Sequence, residues 1–309
     1  DSTELARSGS DISVAEVIAE TPNDVFNLSS ATAIAAADVN VGADGVEMIA
    51  GTTLGSDVKV VRILDTGVVD GEVVDTINNT GETARIFVED MNLDSALDVL
   101  VINSSGQEST LYTNLSGAGF EQEPLSQTFG LGIGGQIIDY NEDTFADIVV
   151  FSSSQMRFYT SSAGVFSDEV LLVQSRSSAI RSLVLGDIDG DGSVDLTVGL
   201  PTKLAIVRNF LRTLTLQQAR PGQVSASAEL VFDDIITDEI PMDNVSELAI
   251  ADLDGDGNGE VIVTNSFDET ATTDADTDNS SAINIVSVNT STDTVEVASS
   301  FGSASSHSV

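Results

Sequence analysis

Short apolar runs alternate with acidic, glycine-containing stretches along the chain, most clearly around residue 190. The segments Ser182–Leu185 and Leu196–Val198 are apolar and partly β-branched, which is typical of buried strands. Between them, Asp187–Asp195 carries aspartates at alternate positions and Gly192 near its centre. The pattern therefore predicts two neighbouring strands joined by an acidic loop at the tip of a β-hairpin.

This unit of strand, acidic loop and strand recurs along the sequence. The loops begin at five aspartates that are 52, 49, 48 and 65 residues apart: Asp38, Asp90, Asp139, Asp187 and Asp252. A repeat of about 50 residues with several short strands is typical of a β-propeller. The sequence therefore predicts an all-β fold made of four-stranded blades.

The acidic loops have the composition of a site for a hard cation. Short carboxylates at alternate positions of a tight loop direct several oxygens at one point, and bound Ca²⁺ relieves their repulsion. An EF-hand begins in the same way but needs a glutamate at position twelve and a helix on each side. Position twelve counted from Asp187 is Val198, and the flanking segments are strand-like. The sequence therefore predicts calcium loops between strands.

Each loop position has an expected role in binding Ca²⁺. Positions one, three and five supply side-chain oxygens, position seven supplies its backbone carbonyl, and position nine closes the site with a carboxylate. In the two loops that match best, these residues are Asp187, Asp189, Asp191, Ser193 and Asp195, and Asp252, Asp254, Asp256, Asn258 and Glu260. In two looser copies they are Asp90, Asn92, Asp94, Ala96 and Asp98, and Asp139, Asn141, Asp143, Phe145 and Asp147. The fifth copy, Asp38–Glu47, has one extra residue and no acid at position five, so its metal binding stays open.

Position six of each loop needs a backbone with positive φ. Gly192 and Gly257 supply it without steric cost, whereas Ser95 and Thr144 stand there in the looser loops. Because a β-branched residue tolerates positive φ poorly, we expect the Asp139 loop to bind Ca²⁺ weakly or to bend differently.

The repeats resemble the FG-GAP/VCBS repeats of integrin α-subunit propellers and of many bacterial and archaeal surface proteins. The resemblance rests on the DxDxDGxxD loops and on two outer-strand segments, Leu111–Phe120 and Phe158–Phe166. A blade of this family consists of a strand, a calcium loop, a second strand and two outer strands. The resemblance implies a calcium-binding, integrin-like β-propeller that forms part of a six- or seven-bladed ring.

The phase of the repeats divides a single propeller domain into blades. Full blades are predicted at residues 31–80, 81–130, 131–178, 179–243 and 244–301. Residues 1–30 have the pattern of an outer half-blade, and residues 302–309 form a tail. Because an unpaired outer half leaves an open sheet edge, we expect its inner half to come from missing sequence or from a neighbouring chain.

Two blades are longer than the others. In the fourth, Asn209–Pro221 is predicted to form extended outer strands with a turn at Pro221-Gly222, because helix signals are nearly absent. In the fifth, Asp268–Ser281 is an acidic Ser/Thr tract without hydrophobic period, which favours a solvated loop over an extra cation site.

Charge and composition exclude several classes of function. Acidic residues outnumber basic ones 50 to 11, giving a net charge of −39, so no basic patch is expected to bind nucleic acid. No apolar run is long enough for membrane insertion. The chain has no cysteine, which excludes disulfides and thiolate metal sites.

The sequence offers no nucleophile–base pair for catalysis. The single histidine, His307, lies in a Ser-rich tail, and the conspicuous carboxylates belong to the predicted metal loops. We therefore expect no enzymatic activity.

Calcium loops of low affinity are useful outside the cell, where calcium is abundant, so we expect an extracellular or cell-surface location. Three functions remain. The first is adhesion or recognition of a protein or glycan ligand. The second is a structural subunit or spacer that contacts other chains of an extracellular assembly. A carbohydrate-active enzyme or lectin is less favoured, because the chain has no Trp and only three Tyr to stack on sugars.

Overall fold

A computed structural model of the 309-residue chain describes ten segments: residues 31–39, 45–52, 57–65, 69–116, 118–122, 128–162, 164–218, 230–265, 283–289 and 292–301. The predicted half-blade at 1–30, the tail at 302–309, the acidic tract at 268–281 and the turn at Pro221-Gly222 lie outside the described residues. The described residues form 21 strands, one α-helix and one 3-10 helix, which confirms the all-β prediction.

The chain divides into two compact units, Asp1–Asp90 with Ser95–Leu125, and Met91–Asp94 with Ser126–Val309. The first unit contains two antiparallel sheets of four strands. Their strands are β1 (Ala31–Ala37), β2 (Glu47–Thr52), β3 (Val58–Asp65) and β4 (Val69–Ile77), then β5 (Glu82–Glu89), β6 (Asp98–Ser105), β7 (Thr110–Asn114) and β8 (Phe120–Gln122).

The second unit contains three sheets and both helices. Its strands are β9 (Gly134–Ile138), β10 (Asp147–Phe151), β11 (Gln155–Ser162) and β12 (Val165–Gln174), then β13 (Ser182–Gly186), β14 (Asp195–Gly199), β15 (Lys203–Val207), β16 (Leu230–Val231) and β17 (Asp238–Pro241), and finally β18 (Val245–Ala251), β19 (Glu260–Asn265), β20 (Ile283–Asn289) and β21 (Thr294–Phe301). The helices are α1 (Phe210–Gln218) and a 3-10 helix, Phe232–Asp234. The single domain and the number of blades in a complete ring stay predictions.

In three of the sheets the second strand is almost entirely buried. All five residues of β10 and all five of β14 are buried, as are the first six of β6. A strand with neighbours on both sides and packing on both faces favours apolar residues, and these strands are largely apolar after a first aspartate, with Thr197 in β14 and Asn103 in β6 as buried polar exceptions. That first aspartate is position nine of an acidic loop.

Apolar side chains from facing sheets form the cores. In the first unit, Ile49 and Val60 belong to one buried cluster with Val99 and Val101 of the second sheet. In the second unit, one cluster joins the third and fourth sheets and another joins the fourth and fifth. Stacked sheets of this kind hold the loops at their ends on a rigid support.

The helix α1 corrects the prediction of extended strands at Asn209–Pro221. Phe210 and Leu214 lie one helical turn apart, and both are buried. The helix has no acidic residue in its first turn and no basic residue in its last, so the usual charge signals of a helix are missing from the sequence. The last strand of the fourth sheet, β17, begins 20 residues after α1 ends.

The third sheet also differs from the four-stranded prediction. The short strand β16, which follows α1 in sequence, pairs in parallel with β12 and adds a fifth strand to that sheet. The pairing is Val173 with Leu230 and Gln174 with Val231.

Among the described residues no helix has the length and apolarity to cross a membrane.

Candidate metal centre

The acidic loops connect the first and second strands of their sheets, and cross-strand pairing fixes where each loop ends. Gly186 pairs with Asp195, and Ala251 pairs with Glu260. Glu89–Asp98 and Ile138–Asp147 are the corresponding pairs of the two looser loops. Position nine is thus the first residue of the second strand, where the regular ladder holds its carboxylate in place.

The four loops share one hydrogen bond that closes the turn. In each, the side chain at position one accepts the backbone N–H of position six. The N···O distances are 2.9 Å for Ser95 to Asp90, 2.8 Å for Thr144 to Asp139, 2.9 Å for Gly192 to Asp187 and 3.1 Å for Gly257 to Asp252. The side chain at position one therefore shapes the loop as well as offering oxygens to an ion.

Two of the loops bring three carboxylates together. Oxygens of Asp187, Asp189 and Asp195 lie within 4.8 Å of one another, and the same holds for Asp252, Asp254 and Glu260. Because Ca²⁺ binds oxygens at 2.3–2.6 Å, two ligands on opposite sides of one ion are about 5 Å apart. Both clusters therefore fit a single calcium ion.

The aspartates at position five are predicted ligands that the structure places outside these clusters. Asp191 Oδ2 accepts a hydrogen bond from Asn209 Nδ2 at 2.7 Å, and Asp256 Oδ2 accepts one from Asn258 Nδ2 at 2.9 Å. Their Oδ1 atoms accept the backbone N–H groups of position seven, Ser193 and Asn258. Position five thus braces the second half of each loop.

The two looser loops replace the carboxylate at position three by an amide. Asn141 Oδ1 accepts the N–H of Asp143 at 3.0 Å, and Asn141 Nδ2 donates to Asp143 Oδ2, also at 3.0 Å. Asn92 and Asp94 form the same pair of bonds. At position seven, Ala96 is buried and the N–H of Phe145 donates to Asp143 Oδ1. With one carboxylate fewer among their expected ligands, these loops offer weaker ligands to a divalent cation, although Glu142 restores the total charge of the third loop.

Asp147 nevertheless marks the third loop as fit for a cation. Its Oδ1 accepts the N–H of Ser161 at 2.7 Å, whereas its buried Oδ2 has no hydrogen-bond partner. The nearby Tyr140 N–H lowers the pKa of the carboxyl but lacks hydrogen-bond geometry to Oδ2. Burial is the larger effect and raises the pKa of Asp147 to about 6. A buried oxygen without a partner is costly, and an ion in the loop would satisfy it.

Burial also raises the pKa of Asp195 to about 6. The backbone N–H groups of Ile188 and Asn209, at 3.0 and 2.7 Å, oppose this effect by stabilising the ionised form. Nearby Asp189 and Asp191 add repulsion that raises the pKa further. A divalent cation among these groups would keep the carboxylate of Asp195 ionised.

Positive φ occurs at two positions in each of the four loops that the structure describes in full, whereas the sequence identified only position six. Position four adopts it as well, which explains the glycine at that place in the two best loops. The φ values at positions four and six are 61° and 73° for Leu93 and Ser95, 62° and 79° for Glu142 and Thr144, 72° and 86° for Gly190 and Gly192, and 81° and 94° for Gly255 and Gly257. The third loop therefore bends like the others, contrary to the alternative expected for Thr144, and it holds a β-branched residue in a strained conformation.

We expect Thr144→Gly to stabilise the protein by about 1 kcal/mol, because glycine removes the left-handed strain at this position. Urea unfolding followed by circular dichroism measures the change. The reverse variant Gly257→Thr should destabilise by a similar amount, since a Cβ at Gly257 meets nothing within 4 Å and only the backbone strain counts. Equal stabilities of wild type and both variants would contradict the assignment of strain.

The fourth and fifth loops touch each other. The N–H of Gly259 donates to the carbonyl oxygen of Asp187 at 3.0 Å. A Cβ on Gly259 would lie 2.9 Å from that same carbonyl oxygen, so glycine at this position allows the close approach. The two three-carboxylate clusters are thus neighbours.

Sequence reasoning missed Arg208 and Asn209, which follow β15 directly. The register of β14 and β15 pairs Leu196 with Val207, so Arg208 is the next residue along, opposite Asp195. Asn209 donates its backbone N–H to Asp195 and its side-chain amide to Asp191. These two residues could have been found only from the strand register, which places them at the end of the third strand, next to the acidic loop.

The first loop has a different counter-charge. Glu47, which closes it, is fully buried, and its Oε2 accepts the N–H of Val39 at 3.1 Å. Its Oε1 lies 3.4 Å from Nε of Arg62, and Arg62 is the residue that pairs with Glu47 across β2 and β3. A guanidinium thus neutralises this carboxylate. Residues 40–44 of the loop lie outside the described residues.

Comparison with known proteins gives one family match. The model of the FG-GAP-like repeat matches residues 139–198. No curated protein matches the sequence significantly.

Three solved structures are similar at low sequence identity. They are BBS1N in complex with ARL6DN (13% identity, TM-score 0.45, covering 80% of this chain and 63% of that chain), a protein from Lactobacillus plantarum (15%, 0.48, 82% and 67%) and an Agrocybe aegerita lectin with specific recognition of non-reducing terminal N-acetylglucosamine (14%, 0.48, 85% and 64%). The chain spans less than two thirds of the BBS1N chain.

The family match begins at Asp139, position one of the third loop, and extends through the fourth loop into β14. Residues 139–198 are therefore an FG-GAP-like repeat, and the family resemblance predicted from the loop motifs is confirmed.

Proposed function

We propose that the chain is a calcium-binding β-propeller module of an extracellular or cell-surface protein, where it mediates adhesion by recognising a protein or glycan ligand. The observation that carries the proposal is the pair of three-carboxylate clusters on the fourth and fifth loops. Each has the size of a calcium site, and each is built on the same closed turn. The orphan oxygen of Asp147 extends the proposal to the third loop.

Electrostatics supports calcium as the partner of these clusters. Carboxylates within 4.8 Å of one another repel, and in a partly buried site the repulsion is weakly screened. The overall charge of −39 adds a long-range field that attracts divalent cations. Calcium loops of extracellular modules have affinities of about 10⁻⁴–10⁻³ M and are filled where calcium is abundant, which supports a location outside the cell.

The described residues favour recognition over catalysis. They contain neither histidine nor cysteine, because the chain has no cysteine and its one histidine, His307, lies outside them. A serine nucleophile among them would lack the usual histidine base. Loops held on rigid sheets, by contrast, are well suited to present a binding surface.

Isothermal titration of the calcium-free protein with CaCl₂ tests the metal part of the proposal. We expect saturable binding, and Asp187→Asn with Asp189→Asn should remove one site while Asp252→Asn with Asp254→Asn removes another. Glu121→Gln, which neutralises an exposed acid on β8, is the control for charge and should leave both sites intact. Absence of saturable heat up to about 10 mM Ca²⁺ would contradict calcium binding.

A binding assay tests the recognition part separately. Beads coated with the protein should adhere to an array of glycans and extracellular-matrix proteins in CaCl₂ and detach in EGTA. Reversible self-association of the protein in sedimentation velocity, without adhesion to the array, would favour a structural subunit instead.

A further inference from the structure

A positively charged side chain, that of Arg208, lies beside the three carboxylates of the fourth loop. The three carboxylates of the fifth loop have no arginine at the corresponding position. Arg208 Nη1 lies 3.6 Å from Asp189 Oδ2, a member of the fourth cluster. In the fifth sheet, Val261 pairs with Val286, so Ser287 stands opposite Glu260 where Arg208 stands opposite Asp195. Two similar calcium loops therefore differ by one positive charge.

Arg208 is held firmly enough to act as a fixed charge. Its side chain is only 13% exposed. Its Nε lies 3.0 Å from Asp238 Oδ2, and its Nη1 contacts Asp293 Oδ1 in the turn between β20 and β21. Its backbone N–H donates to Thr237 Oγ1 at 3.0 Å. The guanidinium is thus surrounded by carboxylates from three elements, and only one of these belongs to the calcium loop.

The guanidinium and a calcium ion would compete for Asp189. An ion bound at about 2.4 Å from this carboxylate oxygen would lie at most about 6 Å from Arg208 Nη1, given the observed separation. A divalent and a univalent cation at this distance repel by enough to change an affinity about tenfold, even at the dielectric constant of water. Asp238 and Asp293 can keep Arg208 in place when Asp189 turns to the ion.

On the basis of the proposed calcium binding, we infer that Arg208 is a built-in competitor for Asp189 that weakens calcium binding at the fourth loop and leaves the fifth loop unaffected. The same register position supports this role in the first sheet, where Arg62 neutralises Glu47. In both sheets the arginine at this place lies beside a carboxylate of the acidic loop.

Site-resolved calcium titration tests the inference. The backbone N–H resonances of Gly192 and Gly257 report the fourth and fifth loops separately in ¹⁵N-labelled protein. In Arg208→Met we expect the Gly192 titration to show about tenfold tighter binding than in wild type, with Gly257 unchanged. Arg208→Lys, which keeps the charge, should stay within about twofold of wild type.

Lys203→Met is the matched control. It removes one positive charge from the same sheet. Lys203, however, lies at the opposite end of β15 and forms an ion pair with Glu239 there. We expect no change at Gly192 in this variant. Unchanged or weaker calcium binding at Gly192 in Arg208→Met would overturn the inference while leaving calcium binding itself intact.

Wild-type protein provides a test that needs no variant. The Arg208 Nε–H resonance should shift in step with Gly192 as CaCl₂ is added, because Asp189 leaves the guanidinium for the ion. An Arg208 resonance that stays fixed while Gly192 titrates would overturn the inference. Silence of both Gly192 and Gly257 up to about 10 mM Ca²⁺ would overturn the proposed function, and the inference with it.

Discussion

Removal of calcium by excess EGTA should lower the melting temperature of the protein by about 4 °C, measured against protein in about 10 mM CaCl₂. Millimolar-range sites in about 10 mM Ca²⁺ are at about ten times their dissociation constant, where each ion stabilises the folded state by about 1.4 kcal/mol and two filled loops contribute about 3 kcal/mol. For a chain of 309 residues, the entropy of unfolding is large enough that 1 kcal/mol corresponds to a shift of about 1–2 °C. The Asp187 and Asp252 loops should loosen first, because each leaves three carboxylates facing one another. Calorimetry with and without EGTA measures the shift.

The contribution of one loop can be separated from that of the other. Asp189→Ala removes a ligand from the fourth cluster only, so it should give part of the shift that EGTA gives. EGTA presaturated with CaCl₂ should leave the melting curve of wild type unchanged. A melting temperature insensitive to EGTA would show that the loops are stable without an ion.

We expect Phe210→Ala to destabilise the protein by about 3–5 kcal/mol, the usual cost of truncating a buried phenylalanine. The ring of Phe210 is fully buried, and its centroid lies 4.8 Å from that of Phe158 in the third sheet. Its backbone N–H donates to the carbonyl oxygen of Val194 in the fourth loop at 2.9 Å. Truncation would therefore free the start of α1, including Asn209, which bonds to Asp191 and Asp195. Urea unfolding measures the stability.

Arg212→Ala provides the control, because Arg212 lies exposed on the same helix. It should change stability by less than about 0.5 kcal/mol. Calcium titration of Phe210→Ala should in addition show weaker binding at the fourth loop than at the fifth. A loss below about 1 kcal/mol for Phe210→Ala would contradict the anchoring of the helix.

The strands and the loops could be predicted from sequence because their signals are local. The β-branched runs around Asp187 and Asp252 are short, and the spacing of the aspartates between them is regular. The helix α1 could not be predicted, since Phe210 and Leu214 become an apolar face only when a neighbouring sheet supplies the surface that covers them. Its residues carry no capping charges that would have marked it beforehand.

The candidate site shows the same limit. Positions one, three and nine of the loops could be assigned from spacing alone, but the contacts of Arg208 with Asp189 and Asp238 depend on strand register and on the packing of β17. The position of Asp191 outside the three-carboxylate cluster depends on its hydrogen bond with Asn209, which is 18 residues away in sequence. Contacts between separate strands are not encoded in a local pattern.

The parallel pairing of β16 with β12 has a consequence for how the protein opens in solution. Residues Leu230 and Val231 leave the fourth blade and occupy the outer edge of the third, so the backbone groups of Val173 and Gln174 are covered there. This part of the edge, two of the ten residues of β12, cannot pair with another molecule while β16 covers it. It also cannot exchange its amide hydrogens with water until that chain detaches. In deuterium exchange the third and fourth blades should therefore behave as one cooperative unit, although the sequence divides them into two repeats.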